Sequence, residues 1–152
     1  MRAIHILLVE DNEGDVILTK EALEETKVLY SIDVAIDGDI AIDILNKTGE
    51  FINCKTPDLI FLDINLPKKN GHEVLKFIKS TNRLKHIPVV MLTTSSYEKD
   101  INQAYQNYAN CFITKCVEMD EFIDAVAKII NFWVYVVKLP SINFNESQEI
   151  SN

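Results

Sequence analysis

The chain has 152 residues, 47% of them hydrophobic and 25% charged, enough for one domain with a core of its own. Its formal net charge of −8 argues against a nucleic-acid or anionic-membrane surface. No apolar run approaches the length that spans a bilayer, Arg2 precedes a stretch too soon interrupted by Glu10 and Asp11 to be a signal peptide, and Cys54, Cys111 and Cys116 lack metal-ligand spacing and read as free thiols in a reducing cytoplasm.

Taken in order, Ile4 to Val9 is an apolar run that ends in Glu10-Asp11-Asn12. Asp15 to Glu25 places Leu18 and Ala22 four apart and Val16 and Leu23 seven apart, which predicts a helix. Ile32 to Ile36 alternates around Asp33, as a half-exposed strand does, and Asp37-Gly38 closes it. Ile40 to Leu45 is a short helix. Leu59 to Leu62, between Pro57 and Pro67, reads as a strand buried on both faces. Asp63 ends it, and Asn65, Pro67 and Asn70-Gly71 form a polar loop in which Gly71 is expected at positive φ. Val74, Leu75 and Ile78 mark the next helix, and His72 beside them reads as a surface residue. Val89 to Leu92 is the fourth strand, ending at Thr93. Ile101, Ala104, Tyr105 and Tyr108 make a helical stripe, Cys111 to Ile113 is a fifth strand ending at Thr114-Lys115, and a last helix runs from about Glu118 past Trp133. Residues 1–140 are expected to form the domain and 141–152 a polar, disordered tail.

Strands alternating with helices predict a parallel sheet covered on both faces by right-handed crossovers. In such a sheet Glu10-Asp11, Asp63, Thr93 and Lys115 all reach the same edge, where open α/β sheets hold their sites. Asp63 alone reads equally well as a loop cap or as a functional carboxylate. Three carboxylates brought together repel, and a hard divalent cation such as Mg²⁺ relieves that. A carboxylate nucleophile, a metal, an ammonium and a hydroxyl are the parts of a phosphoryl-transfer site.

In this order and on these elements, Glu10-Asp11, Asp63, Thr93 and Lys115 resemble the receiver domain of two-component response regulators, over Ile4 to Ala127. The resemblance implies a flavodoxin-like (βα)5 doubly wound parallel sheet with strand order 2-1-3-4-5. It implies that Asp63 is the phosphoacceptor and that Mg²⁺ is held by Asp11 directly, by Glu10 through bound water, by Asp63 and by the Asn65 carbonyl. It further implies that Thr93 and Lys115 bind the phosphoryl group and that Thr93 and Phe112 are the switch residues. The implied protein is a stand-alone cytoplasmic response regulator, phosphorylated by a histidine kinase and catalysing only its own phosphorylation and dephosphorylation. Phe132-Trp133 and Val137-Lys138-Leu139-Pro140 resemble the ends of the small regulators that serve phytochrome-type kinases. The resemblance implies a protein as the downstream partner, with no nucleic acid or membrane expected.

Two positions depart from the family pattern. Cys116 stands after Lys115 where receivers usually have a proline preceded by a cis bond, so the bond is either trans, with a changed loop, or a strained cis bond. Asn107-Tyr108 replaces a small pair, so Tyr108 calls for a changed turn or an outward side chain. Two other functions use similar residues. A haloacid-dehalogenase-type phosphatase needs an aspartate two residues after the nucleophile, where Asn65 stands; a phosphorylation-independent pseudo-receiver needs no acceptor site at all. Phe132 to Val137 is apolar at every position, more than one helix face can bury, and predicts a homodimer through the C-terminal helix region.

Overall fold

Ile4–Val9 and Leu59–Leu62 are buried at every position, as strands covered on both faces must be. They are β1 and β3 of a five-stranded sheet in a computed structural model that describes residues 3–115 and 117–140. The other strands are β2 (Tyr30–Ala35), β4 (Val89–Thr93) and β5 (Cys111–Thr114). All pairings are parallel, in the order β2-β1-β3-β4-β5. The helices are α1 (Glu13–Glu25), α2 (Gly38–Asn46), α3 (Gly71–Ser80), α4 (Glu98–Gln106) and α5 (Met119–Asn131), followed by a π-helical turn over Phe132–Val136. The flavodoxin-like order expected from the resemblance is the order observed.

Alternation along the strands divides the core in two. Leu7, Val9, Ile60 and Leu62 pack with Ala41, Ile44, Leu45, Val74, Leu75, Ile78 and Ala104, so α2, α3 and α4 cover one face. Ile6, Leu8, Leu59 and Phe61 pack with Ala22, Leu23, Phe122, Val126 and Ile130, so α1 and α5 cover the other. Strand β2 lies at the sheet edge and is half-buried along most of its length. It begins and ends earlier than its alternation predicts, and Ile36 is left exposed. Its register against β1 is marked by His5, whose ring lies 2.7 Å from Ser31 Oγ and 2.9 Å from Asp33 Oδ2.

Three helices start on a side-chain cap. Asn12, Asp37 and Asn70 accept from the backbone N–H groups of Asp15, Ile40 and Glu73. At the end of α4 the turn is changed as expected: Tyr108 has φ 70° and points outward. Two expectations fail. Gly71 is not at positive φ; it is the first residue of α3, and a Cβ there would lie 2.2 Å from the Asp63 carbonyl oxygen. Glycine is needed because the backbone at the end of β3 passes too close. His72 is buried, with Nε2 3.1 Å from Asp100 Oδ1, because the first turn of α3 faces α4. The Lys115–Cys116 bond and the 141–152 tail lie outside the described residues.

Candidate functional site

The strand register sets the site. Val9 pairs with Leu62, Leu62 with Met91 and Thr93 with Thr114, so β1, β3, β4 and β5 end nearly level. The Glu10 N–H donates to Ala35 O, the Asp63 N–H to Val9 O and the Lys115 N–H to Thr93 O. Each residue just beyond or at the sheet edge is thereby fixed by a backbone hydrogen bond to the neighbouring strand, and its side chain leaves from a rigid base.

Glu10 and Asp63 are buried, whereas Asp11 is exposed. One carboxylate oxygen from each of the three lies within 4.8 Å of the others. A set made only of oxygens, open on the Asp11 side, suits a hard divalent cation that keeps some of its water. Asn65 is exposed, and its N–H donates to Asp63 Oδ1 at 3.3 Å. Lys115, with its side chain 5% exposed, donates to Glu10, to Asp15 Oδ2 at 2.8 Å and to Asp63 Oδ2 at 3.3 Å.

The electrostatics follow from this crowding. Burial pushes Glu10 up to about 7 and the Asp63 charge adds to the effect, while Lys115 opposes both. Burial would lower the Lys115 ammonium, but the hydrogen bonds it donates to Asp15 and Glu10 and the charge of Asp63 outweigh it and the net shift is upward. The two shifts pull differently, since a fully formed Lys115–Glu10 pair would hold Glu10 down. The upward shift of Lys115 prevails, because three carboxylates share one ammonium and negative charge is in surplus.

Thr93 is fully buried and its Oγ1 accepts from the Ser95 N–H at 3.3 Å. Ser95 Oγ donates to Asp100, whose other oxygen meets His72. Those two partners hold the Asp100 carboxyl below its usual range. Phe112 is half-buried against the α2–α4 core, and its N–H donates to the Tyr105 hydroxyl at 3.2 Å. The fold thus brings Glu10, Asp11, Asp63 and Lys115 together with Thr93 at the adjoining strand end, and sets Phe112 one strand away, behind the edge.

Residues 6–127 match the response regulator receiver domain family. The chain belongs to that family. This receiver is 42% identical over 136 residues to the response regulator Rcp1 of Synechocystis sp., across 90% of this chain and 92% of Rcp1. Among solved structures it resembles the phosphorylated cyanobacterial phytochrome response regulator RcpA, at 44% identity and a TM-score of 0.89, covering 92% of this chain and 100% of that one. It also resembles the Mn²⁺-bound form of Rcp1, at 41% identity and a TM-score of 0.87, covering 91% and 99%. Within the receiver, one charged partner escaped the sequence reading. Asp15 there only opens a helix; nothing local shows that it meets a lysine 100 residues later.

Proposed function

We propose that this receiver takes a phosphoryl group from a histidine kinase onto Asp63 in a Mg²⁺-dependent reaction. The observation that carries this reading is the Asp63 carboxylate itself, buried at the end of β3, sharing an oxygen cluster with Glu10 and Asp11 and contacted by Lys115. In the transfer, Asp63 Oδ attacks phosphorus, the N–P bond of the phosphohistidine breaks, and its electron pair returns to the imidazole. Glu10, Asp11, Asp63 and the Asn65 carbonyl would hold Mg²⁺, which when bound would supply positive charge to the transferring group. Lys115 pairs with a phosphoryl oxygen, and Thr93 Oγ turns from Ser95 to donate to another. Release of the Ser95 N–H shifts the β4–α4 loop, and Phe112 reports the change at the face of α4, β5 and α5, where a protein partner reads it.

The likeness to the phytochrome response regulator RcpA supports a phytochrome-type histidine kinase as the donor. No described helix is long and apolar enough to cross a membrane. The surplus apolar surface after α5 supports a homodimer. The test is incubation with Mg²⁺ and acetyl phosphate followed by intact mass. The wild type is expected to gain one phosphoryl group and Asp63→Asn none. An adduct in Asp63→Asn at the wild-type rate refutes the acceptor, no adduct on the wild type favours a pseudo-receiver, and sustained turnover of phosphate esters favours a phosphatase.

A further inference from the structure

Lys115 presents a conflict that the metal-dependent reading above, on which this inference rests, brings into the open. The ammonium and a divalent cation want the same oxygens. Lys115 donates to Glu10 and Asp63, and those two belong to the oxygen cluster that suits the ion. A cation entering the cluster must take them from the lysine. Lys115 is itself buried, and an ammonium stripped of its partners there is costly.

Asp15 offers a way out. Its Oδ2 lies 2.8 Å from Lys115 Nζ, closer than Asp63 does, yet Asp15 is not one of the clustered residues. Its backbone is set at the start of α1, where its N–H is capped by Asn12 Oδ1 and its carbonyl accepts from Thr19 Oγ1. We infer that Asp15 is a positioning residue that keeps the Lys115 ammonium at the rim of the site when the cation claims Glu10 and Asp63. Without it, Lys115 falls back wholly on the two carboxylates the cation needs and competes with it.

The experiment is calorimetric titration of the full chain with Mg²⁺ in a double-mutant cycle. Asp15→Ala is expected to weaken Mg²⁺ binding by roughly 10-fold or more, the size typical of residues that orient metal ligands. Asp15→Glu is expected to recover part of it. In a Lys115→Ala background the loss caused by Asp15→Ala is expected to shrink by more than about twofold, because no ammonium remains to be parked; losses agreeing within about twofold in both backgrounds mark a plain charge effect and overturn the inference. Unchanged affinity in Asp15→Ala overturns it as well. A wild type that binds no Mg²⁺ refutes the metal-dependent reading and Asp15 with it, whereas a binding wild type beside an equally binding Asp15→Ala refutes Asp15 alone.

Discussion

Gly71 shows how closely the end of β3 is packed. A Cβ at this position would meet Asp63 O at 2.2 Å and Ile64 Cα at 2.6 Å, both backbone atoms that cannot turn aside. Gly71→Ala is therefore expected to cost about 1–3 kcal/mol by overpacking, read as a lower urea midpoint at unchanged slope. The same push displaces Asp63, so its phosphorylation should slow more than the stability loss alone implies. A midpoint equal to wild type would show that the loop gives way freely. The sequence reading named this glycine for its conformational freedom, and the structure assigns it a different need. Residue types at strand ends were legible because Glu10, Asp63, Thr93 and Lys115 each interrupt or close an apolar run. The long-range partners were not. The His72–Asp100 contact spans 28 positions and Lys115–Asp15 spans 100, and neither leaves a local pattern.

At the scale of elements, β1 and β3 were readable to the residue because burial on both faces leaves an unbroken apolar run. The half-buried β2 was displaced, and the start of α4 was obscure because Tyr97 offers no capping side chain. One tie between elements has a measurable consequence. Lys79, late in α3, donates to Lys85 O, to Ile87 O at 2.7 Å and to Asn110 Oδ1, while Asn110 Oδ1 also accepts from the Val89 N–H. The side chain thus pins α3 to the starts of β4 and β5. Burial lowers Lys79 to about 8. The unfolded chain then binds more protons than the folded one from about pH 8 up to the ordinary lysine value near 10.5, so the Lys79 contribution to stability rises with pH across that window. Denaturant melts from pH 7 to 10 should show the wild type gaining on Lys79→Met as pH increases. A constant difference between the two would mean that the three acceptors cancel the effect of burial.

For the whole molecule, parallel topology does most of the work, since it carries residues from positions 10 to 115 to one edge. What the sequence left open was the end of the chain, where Phe132 to Val137 exceeds what one helix face can bury. The fold answers half of this. After α5 the backbone widens into the π-helical turn, Trp133 and Val134 turn onto the α1–α5 core, and Leu139 follows them. Phe132 stacks edge-on to Trp133, with ring centroids 5.7 Å apart, yet stays exposed, as do Tyr135 and Val136. Val117 and Met119, at the opposite end of α5, are exposed as well. A second copy of the chain applied by a two-fold axis would cover the surplus of both at once. Deleting everything from Phe132 is a poor test, because it also strips Trp133, Val134 and Leu139 from the core. Phe132→Lys with Val136→Lys changes only exposed positions and places like charges face to face in a two-fold contact. Sedimentation at roughly tens of micromolar, the range of a modest protein–protein affinity, is expected to give a dimer for the wild type and a monomer for the double variant, which keeps a native circular dichroism spectrum but melts lower because the dimer no longer stabilises it. A wild type that stays monomeric there, both with and without phosphoryl on Asp63, rules the homodimer out.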